Sequence, residues 1–288
     1  MSLEVEQIVK EIDRLPTLNT VAFQVIQLCS DEATSISDLV KVISSDQSLT
    51  AQILRVANSS YFNYPKTIYS LDRAIVILGF NLLKEISVSI SIYSFYRGLK
   101  TSKNFAVDEL WQHSLMTAFV GRSLAEVYDP GSSELFYVVG LLHDIGKLAM
   151  DLMMPKDYSF VVEKAKQEGL RLDIIEKRFL GFHHGDVGSE LLRRWNLPDV
   201  MVEITRYHHY PKEFEGDAEI FRLIRFNYLS NLLAHYVGDE LDGIESLIQL
   251  DSNFSDYFSY ESDEFEELVR TISKSIEQNQ AFFQILRS

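Results

Sequence analysis

The chain has 288 residues, 46% hydrophobic and 24% charged, the balance of a folded domain, which excludes disordered and fibrous classes. Its formal net charge of −15 repels phosphate backbones and anionic lipid surfaces, so neither nucleic acid nor membrane is expected as a partner. The single cysteine, Cys29, excludes an intrachain disulfide and reads as a buried small hydrophobe.

The periodicity is helical almost from end to end. The first twenty residues carry Glu4, Glu6, Glu11 and Asp13, unlike a secretory signal. Val21, Val25, Leu28 and Cys29 then share one helix face, followed by a turn region at Asp31–Thr34. Ser37 is placed to cap a short helix and Asp46 the next, which ends in Asn58, Ser59 and Ser60. Asn58 is expected to close that helix through local backbone bonds, and Tyr61, Phe62 and Tyr64 to pack inward rather than form an exposed patch for a partner. Ser70 opens a helix that closes at Gly79, and another runs from about Asn81 to Tyr96. The apolar region Ala74 to Phe95 is broken by Gly79 and interrupted by Lys84 and Glu85, so it fails as a membrane span and a cytoplasmic location is expected. Alternation such as ISVSISIYS is too short to outweigh the helical pattern around it.

Gly98 to Asn104 is polar and basic and reads as a connection, dividing the chain into an N-terminal part, 1–103, of roughly five short helices and a second helical part, 104–288. Asp108 is placed to cap a long helix, Glu109 to Tyr128, and DPGSS at Asp129 to Ser133 is a turn. The next helix ends at His143 and Asp144. Further helices are expected around Tyr158 to Glu168, Leu172 to Leu180, His184 to Trp195, Asp199 to His209 and Ala218 to Val237, with an acidic final helix opening near Glu261. The fold class expected is all-α.

An imidazole followed at once by a carboxylate, in GLLHDIGK at Gly140–Lys147, offers a divalent metal one nitrogen and one oxygen ligand from a single rigid element. Two neighbours cannot fill a coordination sphere, so further ligands must come from elsewhere. Glu109 and His113 lie four apart on one helix face, His184 opens a helix, and His208 with His209 closes another. A lone His113 on an apolar helix is more often a hydrogen-bonded core residue than a ligand. Four separate segments that each bring a histidine point instead to a pocket built between helices, as all-α proteins build their metal sites. In this reading His183 faces solvent beside His184, and His235 stands apart.

Several segments, in order and spacing, resemble the HDOD domain, a relative of the HD superfamily of metal-dependent phosphohydrolases and of the HD-GYP phosphodiesterases. They are LPTL at Leu15–Leu18, ILRVANSSYF at Ile53–Phe62, AIVILG at Ala74–Gly79, WQHS at Trp111–Ser114, GLLHDIGKL, FHHGDVGSELLRRWNLP at Phe182–Pro198, and the pair His208 and His209. The resemblance implies an N-terminal helical bundle packed on a distorted HD-type domain. It also implies a metal set of Glu109, His113, His143, Asp144, His184, His208 and His209, for a divalent transition metal such as iron, manganese, zinc or nickel. Where many HD enzymes end that set with a late aspartate, the best-placed residue here is Asn231, a weaker ligand for a hard cation. After His209 the chain reads YPKEFEGD, so the glycine-tyrosine-proline signature of the cyclic dinucleotide phosphodiesterases is absent.

Two functions compete on these residues. The one favoured is a bacterial signalling or regulatory module, acting through protein partners or a ligand, whose pocket has lost catalysis. The other is an active metal-dependent phosphohydrolase cleaving phosphomono- or diesters, in which Asp144 holds the catalytic ion and Lys147 contacts a phosphate-containing small ligand. A lysine simply solvated after a helix end fits Lys147 equally well.

Overall fold

The computed structural model describes residues 20–235 except 30, 32, 60, 61, 63, 66 and 104, together with short pieces between 251 and 274. LPTL at 15–18, Ser60, Tyr61, Val237, the Glu261 helix start and the Cys29 side chain lie outside the described residues. Among the described residues five helices fill the first part: α1 Thr20–Cys29, α2 Ile36–Ser44, α3 Gln47–Ala57, α4 Leu71–Leu78 and α5 Phe80–Gly98. Among the described residues nine follow: α6 Val107–Tyr128, α7 Ser133–Leu142, α8 Ile145–Met153, α9 Pro155–Glu168, α10 Leu172–Leu180, α11 His184–Arg194, α12 Asp199–Tyr207, α13 Ala218–Ala234 and the short α14 Phe254–Tyr257. Among the described residues there is no strand.

Caps explain most of the boundaries. Asp46 accepts from the Leu49 backbone N–H and Ser70 from that of Arg73, each satisfying a donor that a helix start leaves unpaired. Gly79 ends α4 at φ 76°, where the missing side chain makes a left-handed conformation accessible. Two capping expectations are corrected. Helix α2 is capped by Ser35, because the Asp38 carboxylate in turn accepts from the Ser35 backbone N–H and completes a reciprocal pair that Ser37 cannot form. Helix α6 starts at Val107, so Asp108 sits inside its first turn, favoured there by the helix dipole and held 3.3 Å from Arg97.

Asn58 closes α3 and does more. Its side-chain amide donates to Leu54 O and Ile68 O, and its Oδ1 accepts from the Ile68 N–H, all at 2.8 Å, pinning the loop that leads to α4. Phe62 is packed against the core, whereas Tyr64 is exposed, its hydroxyl 3.3 Å from Arg73. Helix α5 is buried on nearly every side, which accounts for its strand-like alternation. The hydroxyl of Ser87 donates to Leu83 O, and that of Ser89 meets the Tyr137 hydroxyl at 2.8 Å. No single described helix is long and apolar enough to cross a membrane, and α4 with α5 passes that test only as a pair bent by 114°.

One contiguous hydrophobic core runs from Val25 to Ile272 through both parts. Helix α5 is tied to the second part by ion pairs from Lys84 to Glu134 and from Arg122 to Glu85. Helix α6 packs along α7 and α13, α8 against α11, and α11 against α12. Two glycines set the closest approaches. A methyl on Gly140 would lie 2.5 Å from Ala118 N and 2.9 Å from Thr117 C, so α7 can touch α6 only with glycine there. A methyl on Gly146 would lie 2.7 Å from His184 C and 2.8 Å from Gly188 N. Helix α8 was not expected from the sequence. It is nine residues long and its second residue is a glycine, which weakens a helical pattern, while its burial against α11 compensates.

Candidate metal centre

The site forms where the chain turns from α7 into α8. His143 closes α7 in helical conformation, its N–H bonded to Val139 O at 2.7 Å, and Asp144 occupies the cap position of α8. The Asp144 side chain makes no capping bond and points inward, 1% exposed. Around it converge His113 from α6, His184 from the first residue of α11, His208 and His209 from just beyond α12, and Asn231 from α13.

Asp144 divides its two oxygens between two sides. Oδ1 lies 3.1 Å from His184 Nε2 and 3.6 Å from His208 Nε2. Oδ2 lies 2.6 Å from Lys147 Nζ, 3.4 Å from His143 Nε2 and 3.6 Å from His113 Nε2. His184 Nε2 is also 3.3 Å from His208 Nε2 and 3.0 Å from His209 Nε2. Two sets of ligand atoms result, each within 4.8 Å of one another: Asp144, His184, His208 and His209 on one side, and His113, His143 and Asp144 on the other.

The outer ring nitrogens decide whether these sets suit a cation. His143 Nδ1 donates to Gly140 O at 2.8 Å and His208 Nδ1 to Thr205 O at 2.7 Å. A carbonyl only accepts, so Nδ1 carries the proton in both rings, and a metal would meet each at the inward Nε2. His143 Nε2 is buried with no hydrogen-bond partner, and Asp144 Oδ1 has no well-aligned one although His184 is near. Burial pushes His208 down to about 3 and holds His209 well below its usual range. Burial, with His235 alongside, does the same for His113. Burial opposes ionisation of Asp144, but His143 and Lys147 overcome it and hold the carboxyl well below the usual range. Neutral imidazoles facing an ionised carboxylate are the protonation states a divalent metal requires, so the residues fit such an ion. His184 differs. Burial lowers it, yet the Glu176 carboxylate, 2.7 Å from Nδ1, pushes it up to about 9.

A cavity of about 500 Å³ lies beside the centre, and its wall includes His113, Asp144, Lys147, Tyr158 and His235 but none of His184, His208 or His209. Glu109 is exposed on that wall and belongs to neither ligand set. Asn231 Oδ1 sits 2.8 Å from His113 Nε2, so the amide engages the ring nitrogen that faces Asp144. Lys147 lines the cavity wall half-buried, its ammonium bound to Asp144.

Two histidine expectations are corrected. His183 is buried and caps α11, accepting from Gly185 N at 2.9 Å while Asp186 accepts from its own N–H, a reciprocal arrangement that needs the ring folded inward. His235 is stacked on His113, ring centroids 4.4 Å apart, because α13 carries it to the mouth of the site. The sequence reading also missed Glu176, Tyr158, Arg171 and Asp173. Glu176 accepts from Tyr158 and His184, while Asp173 accepts from Arg171 and from the Tyr210 hydroxyl, and Arg171 reaches His209 Nδ1 at 3.4 Å. The available signal was Glu176 itself, an acid on the stripe of Leu172, Ile175 and Leu180 that faces inward.

A model of the HDOD domain matches residues 15–211. An uncharacterized protein of Treponema pallidum (strain Nichols) is 22% identical over 274 residues, covering 94% of this chain, which spans about half (50%) of that relative's length. Two solved structures align at TM-score 0.75 over 99% of this chain. One is an HDOD domain protein of unknown function from Geobacter sulfurreducens, 20% identical with 95% of its length covered; the other is a suggested phosphohydrolase from Shewanella amazonensis, 19% identical with 98% covered. A suggested signal transduction protein from Marinobacter aquaeolei aligns at 0.72, 22% identical, over 99% of this chain and 65% of its own. At these identities the structures share the fold.

Proposed function

The chain belongs to the HDOD domain family, and on that footing we propose that it is a signalling or regulatory module whose buried His/Asp centre holds a divalent transition metal without turning over phosphoesters. The observation that carries this reading is the placement of the cavity. The three imidazoles of the better-furnished ligand set, His184, His208 and His209, lie off its wall, and Asp144 alone of that set reaches it, close to the enclosed arrangement of a structural metal site. Of the other set, His113 and Asp144 line the wall, and the His113 Nε2 that would bind an ion is already engaged by the Asn231 amide. Three imidazoles and one carboxylate suit zinc, iron or nickel better than magnesium or calcium.

A metal bound in this centre would supply Lewis acidity and a bound water of lowered pKa. Asp144, His184, His208 and His209 would hold it. Lys147 neutralises Asp144 Oδ2, and Asn231 keeps His113 oriented toward the cavity. A phosphate-bearing ligand would meet Lys147 and Lys166 on the cavity wall, opposed by Glu109, Asp144, Asp151 and Glu163. Protein partners dock, in this reading, on the helical surface around α4, where Tyr69 is 83% and Val76 is 74% exposed.

The test is elemental analysis of the unmodified purified protein, followed by assays of phosphomonoesters, nucleotides and cyclic dinucleotides with added manganese or iron. Bound transition metal without turnover is the expected result. Turnover that vanishes in Asp144→Ala while the fold persists would overturn the regulatory reading.

A further inference from the structure

Of the three rings whose Nδ1 faces a carbonyl or carboxylate oxygen in the two ligand sets, His143 and His208 are oriented by their own helices. Each closes a helix and donates Nδ1–H to the carbonyl three residues earlier, Gly140 O and Thr205 O. His184 has no such recourse, because it is the first residue of α11, and a helix start presents N–H donors rather than free carbonyls. An acceptor must come from another element. Helix α10 supplies it as Glu176, which is 0% exposed and belongs to neither ligand set.

The Glu176 carboxyl group takes three hydrogen bonds. Oε2 accepts from the His184 ring Nδ1 at 2.7 Å and from the His184 backbone N–H at 2.8 Å, and Oε1 accepts from the Tyr158 hydroxyl at 3.1 Å. One oxygen therefore fixes both the backbone and the ring of the same residue, leaving the ring's remaining nitrogen, Nε2, facing Asp144, His208 and His209. A buried carboxyl group is costly unless its oxygens are satisfied, and Tyr158 satisfies the second one from the cavity wall.

We propose that Glu176 is the positioning residue of the metal centre: it holds the His184 ring with Nδ1 protonated and Nε2 turned to the metal ligands, and Tyr158 holds Glu176. This rests on the reading that the centre binds a divalent metal. A mere helix cap at Glu176 would need only the backbone bond.

The test titrates the metal-free full chain with Co2+, followed by its visible absorption, beside 15N spectra of the histidine rings. Glu176→Ala is expected to weaken Co2+ binding on the order of 10- to 100-fold, the usual effect of losing an outer-shell partner, and Glu176→Gln, which keeps an acceptor, to recover most of it. Tyr158→Phe is expected to give a few-fold loss. In a His184→Ala background Glu176→Ala should add nothing, since its effect passes through that ring. The wild-type spectrum should show His184 Nδ1 bearing a proton, and added Zn2+ should shift Nε2. Co2+ binding that survives Glu176→Ala intact, a loss that persists without His184, or an unprotonated Nδ1 in the wild type would overturn this proposal alone. The last of these holds even if the alanine variant fails to fold. Failure of the wild type to bind Co2+ would instead overturn the metal reading itself, and this proposal with it.

Discussion

Gly146 joins the fold to the site, which makes Gly146→Ala the most informative single change. The added methyl would collide first with the His184 carbonyl oxygen and would also lie 2.7 Å from His184 C and 2.8 Å from Gly188 N, where ordinary contact begins at 3.4 Å, so Gly188 must retreat by 0.6 Å (3.4 minus 2.8) and His184 by more. Both neighbours are backbone of α11, so no flexible side chain can yield and the whole helix start must move. Overpacking of this kind costs about 1 to 3 kcal/mol, at about 2 to 4 °C of melting temperature per kcal/mol, which is a fall of about 2 to 12 °C. His184 travels with its own carbonyl, so Co2+ affinity should fall together with stability. Gly98→Ala is the control: it ends α5 with nothing within 4 Å, and should leave both quantities unchanged or raise stability slightly. Thermal melts with and without Co2+ would measure both. A Gly146→Ala protein that melts within 1 °C (about the error of a melt) of the wild type would refute the close-approach argument.

Other predictions follow from charge. Lys147→Met removes the ammonium that competes for Asp144 Oδ2, so the metal-free protein should melt lower while Co2+ binds about tenfold tighter, about 1.4 kcal/mol; weaker binding in a titration would contradict it. Asn231→Asp places a carboxylate beside His113 in the set that reaches the cavity, and elemental analysis should find metal content rising from one ion per chain toward two, with no rise telling against the incomplete second set. Asp173 is held at about 2, because hydrogen bonds from Arg171 and its charge outweigh the burial that would raise it. Its folded pKa lies below the unfolded value of about 3.9, so its contribution of about 2 kcal/mol is present above pH 4 and is lost as pH falls toward 2. Urea unfolding across that window should show the loss in the wild type and not in Asp173→Asn; identical slopes would remove Asp173 from the account.

Much of this architecture was written locally. Asp46, Ser70 and Gly79 end or begin helices through bonds that reach only a few residues, and the apolar spacing around Leu172–Leu180 or His184–Arg194 needs no distant partner to be read. The list of histidines and the adjacency of His143 and Asp144 were equally plain in the chain, and they were enough to place a metal-type pocket there. Tertiary structure decided the rest: that His184 turns into the cluster while His183 folds back as a cap, that His235 stacks on His113, and that Glu176 holds the ring whose nitrogen meets Asp144. It also decided α8, a helix with weak local signals that persists because it is buried against α11 at Gly146. Caps and periodicity are short-range properties of neighbouring residues. Which rings share a cavity depends on how closely separate helices can approach, and that distance is set by packing between residues far apart in the chain.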